Sequence, residues 1–130
     1  MSKRVLIVDD EPNILMSVEF LMRREGYQVA TAADGQEAID LLGEFRPDLM
    51  ILDVMMPRKN GFEVCAEVRA DARLSAMPIL MLTAKGREAE MKKGLSLGAD
   101  AYITKPFSTH ELVLKVNELL VRGALEGPEP

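Results

Sequence analysis

Short apolar runs alternate along the chain with apolar residues at helical spacing. Five runs are predicted strands, at residues 5–8, 27–32, 49–52, 79–82 and 101–104. Between them, apolar positions recur every three or four residues, as in Ile14, Leu15, Val18, Leu21 and Met22. The strand runs are apolar throughout rather than alternating, which is typical of strands buried on both faces of a parallel sheet. The pattern therefore predicts an α/β protein with helices covering both faces of a parallel sheet.

The predicted helices carry recognisable start and stop signals. Pro12 suits the first turn of the first helix, and Gly26 ends it. Ser108 and Glu111 are spaced as a capping box for the last helix. The final residues, 123–130, are rich in Gly and Pro and are predicted to be a flexible tail or the start of a linker. Residues 1–122 are thus expected to form one domain.

Composition narrows the classes of function. The chain has 130 residues, enough for a single domain, and a net charge of −5 that disfavours direct binding to nucleic acid or anionic lipid. The single cysteine, Cys65, excludes an internal disulfide and a multi-cysteine metal site. No apolar run approaches a membrane span, and residues 5–8 are too short for a signal-peptide core. We therefore expect a cytoplasmic protein with no membrane association.

Polar residues follow the predicted strands at four places. Asp9 and Asp10 follow the first strand, Asp53 the third, Thr83 ends the fourth, and Lys105 lies just past the fifth. The carboxyl ends of parallel strands meet at one edge of the sheet, where open α/β folds bind ligands. Each residue taken alone could simply end its strand, but four such positions together predict a site.

The residue types at this edge restrict its chemistry. Neighbouring carboxylates repel each other, so a positive group is expected among them. Oxygen ligands without His or Cys favour Mg²⁺. A divalent ion, a lysine and a hydroxyl around one carboxylate are typical of phosphoryl transfer, in which the carboxylate forms an aspartyl phosphate.

The sequence closely resembles the receiver domain of bacterial two-component response regulators, over residues 3 to about 121. The segments that carry the resemblance are residues 5–12, residues 52–57 with Gly61, residues 82–84 and residues 105–107. The resemblance implies a flavodoxin-like, doubly wound (βα)5 fold with strand order 2-1-3-4-5. It also implies a phosphoacceptor switch rather than a conventional enzyme, which catalyses its own phosphorylation and a slow dephosphorylation.

By resemblance, Asp53 is the phosphoacceptor and also a ligand of Mg²⁺. Asp10 and the backbone carbonyl of Met55 complete the direct metal ligands, and Asp9 acts mostly through water. No other cofactor is implied.

The resemblance assigns two further catalytic residues. Thr83 would turn its hydroxyl toward a phosphoryl oxygen, and Lys105 would pair with the phosphate. The bond between Lys105 and Pro106 is expected to be cis. Tyr102 occupies the family's aromatic switch position. It could be a switch that changes rotamer on phosphorylation or an ordinary aromatic residue on an edge strand, and the sequence does not decide between the two.

The resemblance also implies partners. A histidine kinase or phosphotransfer protein would supply the phosphoryl group. A protein target of unknown identity would then bind the surface formed by the fourth helix, fifth strand and fifth helix, which phosphorylation changes. The chain would be a monomer or a phosphorylation-linked homodimer. Either a stand-alone receiver or the N-terminal receiver fragment of a longer DNA-binding regulator fits the sequence.

Two other classes share parts of the pattern. A flavin-binding protein of the same fold needs a phosphate-binding loop after the first strand, where this chain has residues 9–12, which are acidic and include a proline. An aspartate-nucleophile phosphatase needs a second acid two residues after the first, where this chain has Met55.

By resemblance, the lifetime of the aspartyl phosphate depends on the side chains two residues after the phosphoacceptor and two after the hydroxyl residue, here Met55 and Lys85, which should flank the path of an attacking water. Met55 offers no hydrogen bond to orient that water, and Lys85 could shield the phosphoryl group. We therefore predict slow self-dephosphorylation.

Overall fold

Strands and helices alternate along the chain in the computed structural model, which describes residues 3–84 and 87–125 and the side chains as far as residue 122. The elements are β1 (Arg4–Val8), α1 (Pro12–Arg24), β2 (Gln28–Ala32), α2 (Gly35–Phe45), β3 (Leu49–Asp53), α3 (Gly61–Ala70), β4 (Ile79–Ala84), α4 (Glu88–Ser96), β5 (Ala101–Lys105) and α5 (Thr109–Leu125).

The strands form one parallel sheet in the order β2-β1-β3-β4-β5. This confirms the predicted fold class and strand order. The chain leaves β1 toward β2 on one side and returns to β3 on the other, so the order reverses between β1 and β3. The carboxyl ends of these two strands therefore flank the crevice in which such folds place their sites.

The apolar strands build two cores, one on each face of the sheet. Val5 and Ile7 of β1 pack with α1 and α5, whereas Leu6 and Val8 pack with α2 and α3. Gly94 lets α4 approach this second face closely, because a Cβ there would lie 2.5 Å from the Met81 sulfur. The four β1 side chains are fully buried, as the continuous apolar run predicts.

The helix boundaries follow local hydrogen bonds. The Ser108 hydroxyl accepts from the Glu111 N–H, as the predicted capping box requires. A complete capping box between Asn60 and Glu63 starts α3, a signal that the sequence analysis did not use. The predicted second strand began one residue early, because the Tyr27 N–H instead bonds to the Met22 carbonyl in the turn that closes α1.

The predicted domain boundary at residue 122 falls inside the last helix. Helix α5 runs to Leu125, three residues past the expected boundary at residue 122. The remaining tail residues, 126–130, lie outside the described residues, so the boundary stays a prediction. Within the described ranges, no helix is both long enough and apolar enough to cross a bilayer.

Candidate functional site

Three aspartates meet at the carboxyl end of the sheet, between β1 and β3. Asp9 and Asp10 directly follow β1, and Asp53 is the last residue of β3. One carboxylate oxygen from each lies within 4.8 Å of the others. Asp9 is completely buried and Asp53 nearly so, whereas Asp10 is exposed. The three acids therefore lie together at the edge of the sheet where the sequence analysis expected them.

The backbone around Asp53 is held by the loop that leads into α3. The Gly61 N–H donates to the Val54 carbonyl at 2.8 Å. A Cβ on Gly61 would lie only 2.3 Å from the carbonyl oxygen of Asp53, so this close contact requires glycine. The first turn of α3 is thereby pressed against the end of β3, which fixes the position of the Asp53 backbone.

Lys105, the last residue of β5, directs its ammonium into the acidic cluster. Its Nζ lies 2.9 Å from Asp9 Oδ2, 3.0 Å from Glu11 Oε1 and 3.3 Å from Asp53 Oδ1. The peptide bond between Lys105 and Pro106 is cis, as expected. One ammonium thus pairs with three carboxylates, and Asp10 adds a fourth negative group nearby.

Burial and neighbouring charges shift the pKa values of Asp53 and Lys105. Burial, with the Asp9 charge second, raises the pKa of Asp53 to about 7, although the Lys105 ammonium lowers it in part. Burial alone would lower the pKa of Lys105, but its contacts with the Asp9 and Glu11 carboxylates outweigh burial and raise that pKa. Lys105 therefore stays charged, whereas Asp53 holds a proton more easily than an ordinary aspartate.

Two buried oxygens at this edge lack hydrogen-bond partners among the described residues. They are Oδ2 of Asp9, which has only its ion pair with Lys105, and the hydroxyl oxygen of Thr83. Thr83 ends the buried part of β4, one residue beyond Leu82, which pairs in register with Asp53. Unpartnered buried polar atoms are costly, so they indicate groups arranged for a ligand.

Of the other two predicted residues, Met55 and Lys85, the structure describes only Met55. Met55 follows β3 in the loop toward α3, and it is 63% exposed. Lys85 lies outside the described residues. Glu11 was part of the recognised motif, but its contact with Lys105 was not predicted. The only sequence signal for that contact is its place two residues beyond Asp9.

The acidic cluster fits a hard divalent cation. Carboxylate oxygens are the preferred ligands of Mg²⁺, which uses few protein ligands and keeps several waters. The three aspartates offer such oxygens, and one of them, Asp10, is open to solvent. A single lysine neutralises only part of the negative charge here, so a bound cation would further reduce the repulsion among the carboxylates.

Comparison with known proteins agrees with this geometry. The sequence matches the family described as the response regulator receiver domain over residues 5–117. A response regulator structure from Chloroflexus aurantiacus is 38% identical with a TM-score of 0.91, covering 94% of this chain and 100% of its own. The chemotaxis response regulator CheY4 of Vibrio cholerae is 35% identical with a TM-score of 0.86, covering 92% of this chain and 99% of its own.

A third similar structure belongs to a longer protein. NtrX from Brucella abortus is 26% identical with a TM-score of 0.90, and the match covers 97% of this chain but 28% of NtrX. The same fold thus occurs both as a whole protein chain and as one part of a larger one.

Proposed function

Because this chain belongs to the response regulator receiver domain family, the phosphoacceptor domain of two-component systems, we propose that Asp53 is the residue that accepts the phosphoryl group. One observation supports this choice most strongly. Asp53 is a buried acid that ends the central strand, and its carboxylate lies within 4.8 Å of those of Asp9 and Asp10 and 3.3 Å from the Lys105 ammonium. In the reaction, an Asp53 oxygen bonds to phosphorus, and the bond from phosphorus to the donor breaks. The donor's leaving group departs with that electron pair.

The neighbouring residues have distinct roles in this proposal. Lys105 pairs with the phosphoryl oxygens, and Thr83, whose hydroxyl lacks a described partner, donates to one of them. Asp10, Asp53 and the Met55 carbonyl would hold Mg²⁺, with Asp9 acting through water. The bound ion would supply positive charge that lowers the pKa of Asp53 and neutralises the incoming phosphoryl oxygens.

The acceptor can be tested with a small-molecule donor. Incubation with acetyl phosphate and Mg²⁺ should add the mass of one phosphoryl group, which hydroxylamine should remove as expected for an acyl phosphate. Asp53→Asn should lose that mass. Asp100→Asn, which changes an acid at the opposite end of the sheet, should keep it. Equal labelling of Asp53→Asn and the parent would reject the assignment.

We propose that a histidine kinase or phosphotransfer protein in the cytoplasm is the natural donor. We further propose that phosphorylation is read on the surface formed by α4, β5 and α5. This surface carries exposed apolar side chains, including Leu95, Tyr102 and Leu114. A phosphoryl group that draws Thr83 inward would free space that Tyr102, now 41% exposed, could fill. Thr83→Ala should still be phosphorylated, but amide shifts on phosphorylation should no longer extend into β5.

Slow self-dephosphorylation completes the proposal. The exposed Met55 side chain offers no group to orient a water for attack on phosphorus. Met55→Asn should shorten the lifetime of the phosphorylated protein after the donor is removed. An unchanged or longer lifetime would reject this role for Met55.

A further inference from the structure

Three carboxylates surround the ammonium of Lys105. Its Nζ lies 2.9 Å from Asp9, 3.0 Å from Glu11 and 3.3 Å from Asp53, and of these contacts the one with Glu11 has the geometry of a hydrogen bond. A phosphoryl oxygen on Asp53 would compete with the Asp9 and Glu11 carboxylates for this ammonium. Phosphorylation is therefore expected to displace one of these carboxylates from Lys105.

Glu11 is the carboxylate that can leave at least cost. Its side chain is 59% exposed, whereas the Asp9 side chain is fully buried and that of Asp53 is 8% exposed. Water can take over the hydrogen bonds of an exposed carboxylate, but not those of a buried one.

The side chain of Glu11 is not needed to start α1. Glu11 is the N-cap residue of that helix, but its side chain makes no cap hydrogen bond. Its Oε1 instead bonds to Lys105 across 94 positions of sequence. Within the described ranges, the Glu11 side chain makes no other hydrogen bond. Its removal should therefore leave the helix intact.

We propose that Glu11 is a positioning residue that competes with the phosphoryl group for Lys105 and so restrains phosphorylation. This inference rests on the proposed roles of Asp53 and Lys105. In the unphosphorylated protein, the exposed Glu11 carboxylate binds the Lys105 ammonium. On phosphorylation, the ammonium exchanges Glu11 for a phosphoryl oxygen, and Glu11 turns to solvent.

The proposal predicts faster labelling when the competitor loses its charge. At saturating Mg²⁺, Glu11→Gln should be phosphorylated by acetyl phosphate about two- to fivefold faster than the parent, the size expected for an exposed ion pair. Glu44→Gln is the matched control, because it removes one negative charge from an exposed position on α2. It should be labelled at the rate of the parent.

A double-mutant cycle separates competition from simple repulsion of an anionic donor. If Glu11 acts through Lys105, then Glu11→Gln should accelerate labelling in the parent but not in the Lys105→Gln background. The same acceleration in both backgrounds would overturn the proposal, as would an unchanged or slower rate in the parent. Failure of the proposed function looks different, because the parent itself would then take up no phosphoryl group at Asp53.

A second readout needs neither Mg²⁺ nor a donor. The side-chain ammonium signal of Lys105, observed by nitrogen-15 NMR in metal-free protein, should move in Glu11→Gln and stay in place in Glu44→Gln. An unmoved signal in Glu11→Gln would show that the contact is not made in solution, and the inference would fail.

Discussion

At the amino end of the sheet, Arg69 donates four of its five N–H groups to acceptors, whereas at the carboxyl end Lys105 faces more negative charge than it can neutralise. Arg69 donates to the carbonyls of Gly98, Ser75 and Met77 at 2.8–3.1 Å, and to the Asp100 carboxylate at 2.8 Å. Asp100 in turn accepts from the N–H of Ile79, the first residue of β4.

The carboxyl end has the opposite character. Among the described residues, one oxygen of Asp9 has no hydrogen bond and the Thr83 hydroxyl has no partner, and the pKa of Asp53 is raised. Charges that are fully paired stabilise a fold, whereas charges that lack partners cost stability and are available to a ligand. The difference between the two ends is therefore the difference between structural support and a site.

The largest effect should come from breaking the closed network at the amino end. Arg69→Met leaves three carbonyls and the Asp100 carboxylate without their donor, and it should lower the free energy of unfolding by about 2–4 kcal/mol. Arg73→Met is the matched control, because its ion pair with Asp71 involves a side chain that is 83% exposed. That variant should leave the free energy of unfolding nearly unchanged, because solvent screens so exposed an ion pair. Urea denaturation of both variants measures the contrast, and equal losses would contradict it.

A glycine substitution should disturb the carboxyl end through the backbone. Gly61→Ala would place a Cβ 2.3 Å from the Asp53 carbonyl, so it should cost about 1–3 kcal/mol and slow phosphorylation. Gly43→Ala, in α2, meets nothing within 4 Å and should instead stabilise the protein by about 0.5–1 kcal/mol. If Gly61→Ala is as stable and as rapidly phosphorylated as the parent, the close contact has no role in placing Asp53.

Replacing an acid by its amide should have opposite effects at the two ends. Without divalent ions at neutral pH, Asp53→Asn should be about 1–2 kcal/mol more stable than the parent, because it removes a carboxylate that lacks compensation. Asp100→Asn should be less stable than the parent, because Arg69 loses its charged partner. Chemical denaturation of the two variants gives the sign of each effect directly.

The pH dependence of the Asp53→Asn gain follows from the raised pKa. The pKa of Asp53 is about 7 in the folded protein, above its ordinary value of 3.8. Between these two values the folded state of the parent holds more protons than the unfolded state, so its stability falls as pH rises. The advantage of Asp53→Asn should therefore be full above about pH 7 and vanish near pH 4. A gain that persists at pH 4, or no gain at neutral pH, would refute this explanation.

The smallest predicted effect concerns Mg²⁺. At ten times its Kd, a bound ion should raise the melting temperature of the parent by roughly 4 °C. Asp10→Ala should lose most of that increase, since it removes an exposed carboxylate of the cluster, whereas Asp40→Ala on α2 should retain it. If Mg²⁺ stabilised Asp10→Ala as much as the parent, Asp10 would not be a ligand.

The sequence predicted the parts of the fold that depend on local patterns. Continuous apolar runs placed the strands, and polar residues at their carboxyl ends placed Asp9, Asp53 and Lys105 at one edge. It placed Asp53 after a strand and Asp100 before one, but it could not show that Asp100 is paired with a cation. That pairing depends on Arg69, which reaches Asp100 across 31 positions of sequence, a contact no local pattern encodes. Glu11 was missed as a partner of Lys105 for the same reason.

The proposal that the unsaturated carboxyl end is a phosphoacceptor site is tested most directly by locating the phosphoryl group. The parent protein would be treated with acetyl phosphate and Mg²⁺ and then reduced with borohydride, which converts a phosphorylated aspartate into homoserine. Sequencing of the peptides by tandem mass spectrometry then identifies the modified residue. We predict homoserine at position 53 alone; homoserine at Asp9, Asp10 or Asp100, with Asp53 unchanged, would contradict the account.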